Sequence, residues 1–362
     1  MMKSDNNFSN PDKYLIPEAV KAFQYYFEYL ASRILGNKPK NFAILKTKTK
    51  SKRGAEGSLY ISKVFFQANE KELSATVAMK FTDDVKAIKS ELINSMLIER
   101  RLSKYYMFST PKVIFASTNS PPIIVYEGIE GENYDELPPN PEKAFLTGRL
   151  LATIHGINTG KVNISLYKDL IRVLGMKGEK INQNFEKRFL QGCKLFIPML
   201  ENNLEESLIF GDFHQSNVMI SKIEDKNMIN TVYVIDPHYI QTNGFSRSED
   251  MGIFFGNQAF QEWRITGKFS VVKKDFSSFI EGYQVQMNYL NGPELTKIFS
   301  YGLTVDYFVA QWGVLDALDY PNRVHKEVPQ ATLLKEMQER LDFALDVLEN
   351  KPFLEVFKQF ID

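Results

Sequence analysis

The sequence predicts an α+β protein of two lobes, an antiparallel sheet in its N-terminal part followed by a mainly helical C-terminal part. Three observations carry this expectation. A chain of 362 residues exceeds what one hydrophobic core usually organises. Residues 41–81 alternate with period two in NFAILKTKTK, SLYISKVFFQA and LSATVAMKF, the pattern of hairpin-linked strands. From residue 142 the apolar spacing becomes helical, in EKAFLTGRLLATIHG and again in FSSFIEGYQ, VDYFVAQWGVLDALDY and LLKEMQERLDFALDVLE.

Composition narrows the class of function. With 44% hydrophobic and 24% charged residues the chain reads as an ordinary globular protein. Lys plus Arg (44) balance Asp plus Glu (44), which argues against nucleic acid or an anionic membrane as the main partner. A single cysteine, Cys193, excludes an intrachain disulfide and suits a reducing compartment. No apolar run approaches the ~20 residues of a membrane span, and MMKSDNNFSN lacks the apolar core of a signal peptide. The expected location is the cytoplasm.

In chain order, residues 1–15 are polar and Asn-rich. Val20, Phe23, Phe27, Leu30 and Ile34 then recur at helical spacing behind Pro17, predicting a helix that packs on the N-terminal lobe. Between the first two strands lies KSKRGAEGS, where Gly54 and Gly57 stand three apart. Glycines at a strand-to-strand turn let backbone N–H groups approach a phosphate closely, although such a pair also marks a plain hairpin. Lys46, Lys48, Lys50 and Lys52 alternate and so share one side of a strand, a solvated face. The third strand ends in VAMKF, with Lys80 just before a helical stretch, Asp83 to Tyr106, that offers Glu91 and Glu99. Eight residues apart on a helix, these two differ by only about 80° in direction. Next come PKVIFAS and PPIIVYEGIEGENY, apolar strands, and then the helix that ends at His155-Gly156. A histidine there suits the negative end of the helix as a cap or packing group.

The stretch around which the rest is organised is 208–240, LIFGDFHQSNVMISKIEDKNMINTVYVIDPHYI. Asp212 follows an apolar entry, Asn217 comes five residues later, and a β-rich run delivers Asp236. Two carboxylates and one amide at strand ends match the needs of magnesium-dependent phosphoryl transfer, a base for a hydroxyl and oxygen ligands for Mg²⁺. Singly, each residue has a structural explanation, as turn former, helix cap or strand-end charge.

GDFHQSN followed by VIDP resembles the aminoglycoside phosphotransferase and choline kinase group of small-molecule kinases, which write H-G-D-x-H-x-x-N and then a strand ending in Asp. The resemblance in motif order runs over roughly residues 40–350. It implies a two-lobed protein-kinase-like fold, with a helical extension over 1–39, an N-lobe over 40–126 and a C-lobe over 127–362. It further implies that Asp212 deprotonates the acceptor hydroxyl, that Asn217 and Asp236 bind Mg²⁺, and that Lys80 steadies the phosphates of ATP. The Gly54 to Gly57 turn would lie over the nucleotide. Tyr126-Glu127-Gly128-Ile129 resembles the inter-lobe hinge, where backbone groups at Glu127 and Ile129 would read the adenine edge. The spacing to the Pro111-Lys112-Val113 strand favours Glu99 as the partner of Lys80, with Glu91 left open. Asp250, in DMG, resembles the later Asp that braces the catalytic loop from a helix start, and the Lys-rich helical segment 161–205 is where such families vary around the acceptor.

One position departs from the pattern. The family's His two residues before the catalytic Asp is Phe210 here, which keeps the packing and loses a hydrogen bond. The expected function is an ATP- and Mg²⁺-dependent phosphotransferase acting on a hydroxyl of a small molecule; the competing expectation is a degenerate, nucleotide-binding scaffold of the same fold. The A-P-E segment of ordinary protein kinases does not follow Asp236.

Overall fold

A computed structural model of the chain describes residues 17–54, 57–82, 84–119, 122–157, 160–203, 207–222, 229–241, 244–324 and 328–361. The Asn-rich start and the turn residues Ala55 and Glu56 lie outside them. Two compact units result, one running to Gly131 and adding Tyr233–His238, the other comprising Glu132–Val232 and Tyr239 onward.

The first unit holds α1 (Pro17–Leu35), β1 (Phe42–Gly54), β2 (Gly57–Ala68), β3 (Lys71–Phe81), α2 (Val85–Leu102), β4 (Phe108–Ser109), β5 (Val113–Ser117) and β6 (Ile123–Glu127). Its five-stranded sheet has the order β1-β2-β3-β6-β5, antiparallel throughout. The β2–β3 turn places Asn69 (φ 48°) and Glu70 (φ 68°) in the left-handed region, which matches the twist of a two-residue hairpin. Burial alternates along the end of β3, so that Val77, Met79 and Phe81 face the core. They join Phe27 and Ala31 of α1 with Tyr60, Val64 and Phe66 of β2, so α1 packs on this sheet, while Ile34 of the expected apolar stripe is exposed. α2 starts where Asp84 accepts the Lys86 N–H at 2.7 Å and buries the stripe Ile88, Glu91, Ser95, Ile98 and Leu102.

The second unit contains β7 (Glu132–Asn133), α3 (Pro141–His155), α4 (Ile164–Glu179), α5 (Phe185–Cys193), α6 (Phe196–Asn202), β8 (Val218–Lys222) and most of β9 (Ile229–Val234). Then follow α7 (Arg247–Thr266), α8 (Ser270–Tyr289), α9 (Leu295–Ile298), α10 (Val305–Arg323), α11 (Gln330–Asn350) and α12 (Pro352–Lys358). Asn140 caps α3 by accepting the Glu142 N–H at 2.8 Å, with Pro141 supplying the first helical φ. Gly148 of α3 and Gly282 of α8 each meet a carbonyl of the other helix, at Phe279 and Phe145, where any Cβ would collide. Among the described residues no helix is long and apolar enough to cross a membrane.

One cap in this unit has a measurable consequence. Asp306, in the first turn of α10 and fully buried, accepts the N–H groups of Phe353 (3.0 Å) and Leu354 (2.8 Å) at the start of α12. Burial pushes its carboxyl up to about 7, against the pull of those two donors. A folded-state pKa above the usual 3.8 means that the stabilisation is complete below about pH 4 and is lost as pH rises through about 7. Thermal midpoints should therefore fall from pH 5.5 to pH 8, and Asp306→Asn should flatten that slope. Asp306→Ala leaves two buried N–H groups without an acceptor and should cost about 2–4 kcal/mol in urea unfolding at pH 6.

Candidate active site

In the first unit, the group at the end of β3 is built on one ammonium. Lys80 Nζ lies 2.7 Å from Asp236 Oδ1 and 3.0 Å from Glu91 Oε2, joining residues 156 positions apart in sequence. Partial burial alone would lower the lysine pKa; Asp236 and then Glu91 outweigh it, and the net direction is upward. Glu91 is 1% exposed, and its second oxygen, Oε1, accepts the Tyr126 hydroxyl at 2.6 Å. Ser95 Oγ, 3.3 Å from that hydroxyl, donates to the Glu91 carbonyl one turn earlier on α2 at 2.7 Å.

The carboxylate that meets Lys80 is thus Glu91, and the expectation of Glu99 is corrected. The reason is helical geometry. Glu91 sits in the buried stripe of α2 with Ile88, Ser95, Ile98 and Leu102. Glu99 lies about 12 Å further along the axis and about 80° round from Glu91. It is half-buried, and its carbonyl accepts the Ser103 N–H at the helix end. Spacing to the following strand, the only signal that favoured Glu99, says nothing about which helix turn passes β3; the polar residues Glu91 and Ser95 inside an apolar stripe did carry that signal. Accordingly, Glu91→Gln should impair ATP use at least tenfold more than Glu99→Gln, which should stay within about 0.5 kcal/mol of wild-type stability.

Asp236 adopts φ 57°, a conformation that Asp tolerates better than most residues. Its carbonyl accepts the His238 N–H at 2.8 Å across Pro237, and the His238 carbonyl accepts Asn94 Nδ2 of α2 at 3.1 Å. The strand end that presents Asp236 is therefore tied to the helix that presents Glu91. A cleft of about 190 Å³ beside them is lined by Lys80, Thr82, Asp84, Ala87, Glu91 and His238.

Next to Tyr126 at the end of β6, the Glu127 carboxylate accepts the Lys112 N–H (3.1 Å) and the Tyr26 hydroxyl (3.5 Å), while its own N–H donates to the Lys112 carbonyl (2.9 Å). The Gly128 N–H donates to the Thr76 carbonyl at 2.7 Å, and a Cβ at Gly128 would strike Thr76. Ile129 follows, half-buried. The β1–β2 ladder ends with Gly54 opposite Gly57, and Ala55 and Glu56 fall outside the described residues.

In the second unit, the loop carrying Asp212 is held by its backbone. Ile209 and Gln241 exchange N–H to carbonyl bonds at 2.8 and 2.9 Å. The fully buried Asp250 accepts the Phe210 N–H at 2.7 Å and the Gly211 N–H at 2.8 Å. Burial drives its carboxyl up to about 7 although both donors pull it down. Gly211 has φ 82° and sits where a Cβ would collide with the Tyr239 carbonyl, so the loop needs glycine at this point. His155 belongs to the same brace, a role that helix-end capping does not describe. Its Nε2 is 3.0 Å from Asp250 Oδ2 and its Nδ1 is 2.8 Å from the Tyr283 hydroxyl. Phe210 is fully buried and meets Phe213 edge-on at 5.7 Å, and Phe213 stacks on Phe254 at 5.4 Å. Phe210 is thus held by aromatic packing, and the chain at Phe210 and Gly211 is fixed through main-chain N–H groups.

Asp212 itself keeps its carboxylate 37% exposed, with His214 Nε2 3.6 Å away. Its carbonyl accepts the His214 N–H (2.9 Å) and Asn217 Nδ2 (3.0 Å). The second bond fixes the amide of Asn217 through its nitrogen, which leaves the side-chain oxygen as the atom available to a cation. Ser216 and Gln215 are anchored in turn, Ser216 Oγ to Asp135 at 2.6 Å and Gln215 to Gln258 at 2.8 Å.

Among the described residues no cluster of three or more His, Cys, Asp or Glu side chains could hold a metal alone. Taken singly, the Asn217 amide oxygen and the Asp236 carboxylate are oxygen donors of the kind Mg²⁺ takes, a metal that uses one or two protein oxygens and completes its shell with phosphates and water. Asp236 fits, since Lys80 occupies only its Oδ1.

No protein-family model and no curated protein matches the chain by sequence. Among solved structures, a microcompartment-associated aminopropanol kinase superposes with a TM-score of 0.55 at 12% identity, over 86% of this chain and 95% of that one. A Plasmodium vivax ethanolamine kinase (TM-score 0.44, 14% identity, 99% and 97% covered) and spectinomycin phosphotransferase APH(9)-Ia with ADP and spectinomycin (0.46, 14%, 89% and 98%) are also similar. The chain has the α+β, two-lobed kinase-like fold of small-molecule kinases.

Proposed function

We propose that the protein is an ATP- and Mg²⁺-dependent phosphotransferase whose acceptor is a hydroxyl of a small molecule. The observation that carries this reading is the Lys80 ammonium shared between Glu91 and Asp236 at 3.0 and 2.7 Å. A half-buried, doubly paired lysine at a strand end positions one charge for phosphate oxygens. In this reading the backbone at Glu127 and Ile129 takes the base, and Gly54 and Gly57 lie over the phosphates. Asn217 and Asp236 would hold Mg²⁺, which neutralises charge on the transferring phosphoryl group. Asp212 orients the acceptor hydroxyl and takes its proton; its partly exposed carboxylate on a braced loop suits that task. The rest is positioning, which is most of what phosphoryl transfer asks of a protein.

Phe210, buried where the resembling families carry His, is the observation that favours the scaffold reading. Thermal shift with ATP, with and without Mg²⁺, run beside ATP consumption over a panel of amino alcohols, aminoglycosides and sugars separates the two. Acceptor-dependent consumption supports the phosphotransferase; stabilisation by ATP with no turnover on any acceptor supports the scaffold.

A further inference from the structure

Glu91 is a buried carboxylate whose two oxygens have different duties. Oε2 faces Lys80 at 3.0 Å and His238 Nδ1 at 3.7 Å, whereas Oε1 faces the Tyr126 hydroxyl at 2.6 Å. At 1% exposure water does not substitute for a lost donor, and a carboxylate held on one oxygen only can turn about its terminal bond and carry Lys80 with it. Tyr126 is itself restrained. It lies in β6 between β3 and β5, in register with Ala78 of β3 and Val113 of β5, and is 8% exposed. Its hydroxyl also meets Ser95 Oγ at 3.3 Å, and that serine is bonded to the Glu91 carbonyl.

We infer that Tyr126, supported by Ser95, is a positioning residue that locks Glu91 so that Lys80 keeps its place when Asp236 turns to a cation. The inference rests on the proposed phosphotransferase reading and deepens its nucleotide site. While Asp236 and Glu91 both hold the ammonium, loosening Glu91 alters the surroundings of Lys80 without releasing it. Once a cation draws Asp236 away, Glu91 is the remaining carboxylate of the pair, and its orientation depends on the bond to Tyr126. The phenylalanine that removes only this hydroxyl should therefore damage the grip on phosphates and spare the grip on the base.

The test uses the full chain as wild type, Tyr126→Phe and Ser95→Ala, with two readouts. Calorimetry compares adenosine with ATP in Mg²⁺: Tyr126→Phe should bind adenosine within about twofold of wild type and ATP about tenfold more weakly, the size expected for one hydrogen bond to a charged group. The ¹⁵N resonance of the Lys80 ammonium, assigned with Lys80→Arg and recorded without nucleotide, should shift or broaden in Tyr126→Phe. Ser95→Ala should move both readouts the same way by less, and it carries the test if Tyr126→Phe does not fold. Equal losses for adenosine and ATP, or an unchanged ATP affinity, would overturn the inference. If wild type binds neither ligand, the phosphotransferase reading fails. The ammonium resonance then decides for Tyr126 by itself, and an unchanged signal in Tyr126→Phe rejects it.

Discussion

In Asp236→Asn, acceptor-dependent ATP consumption should fall by about a thousandfold or more while the fold persists. The substitution removes a unit charge at a proposed Mg²⁺ ligand and changes little volume. Several kcal/mol of transition-state stabilisation are expected to go with it, and each 1.36 kcal/mol is about tenfold in rate. Nothing in the local structure requires the charge for folding. The side chain is 43% exposed, φ 57° suits Asn as well as Asp, and Lys80 retains Glu91 at 3.0 Å. A thermal midpoint close to wild type, beside a coupled ATP-consumption assay over a Mg²⁺ titration, gives the comparison. Turnover at the wild-type rate would remove Asp236 from the metal site.

How far the sequence revealed this arrangement depended on the range of the interactions involved. Strand alternation in β2 and β3 and the Pro17 helix were legible because each is a local pattern, kept in β2 and β3 by one buried face. Asp212, Asn217 and Asp236 were legible as candidates because their order and spacing follow one loop and one strand. Partner choice across elements was not legible in the same way. Whether Glu91 or Glu99 meets Lys80 depends on which turn of α2 passes β3, a tertiary fact that spacing to the next strand does not encode. The pairing of His155 with Asp250 spans 95 positions and that of Tyr126 with Glu91 spans 35. In each case the hint was a polar residue set among buried apolar ones, which signals a partner without identifying it. Phe210 shows the converse: a departure from the motif is visible at once, but its compensation by Phe213, Phe254 and the backbone grip of Asp250 needs three dimensions.

Asp212→Asn should lower kcat by about 10²–10⁴, the usual contribution of a positioned general base, and leave ATP affinity within about twofold. The amide keeps the size of the side chain and loses the capacity to take a proton. It also leaves the loop's main-chain bonds in place, while the carboxylate's own neighbours, Asn217 Nδ2 at 3.5 Å and His214 Nε2 at 3.6 Å, still meet an amide side chain of the same size. The Asp212 carbonyl still accepts from His214 N–H and Asn217 Nδ2, and Asp250 still accepts from the Phe210 and Gly211 N–H groups. The proposed nucleotide contacts, at Lys80, Glu91 and the Glu127 to Ile129 backbone, belong to other elements. A loss confined to the chemical step therefore follows from the geometry, and single-turnover measurements at saturating ATP would isolate it. If ATP affinity falls as far as kcat, Asp212 is a structural residue of the loop, and the base must be sought elsewhere. If both remain at wild-type values with acceptor-dependent turnover intact, the carboxylate has no part in the reaction.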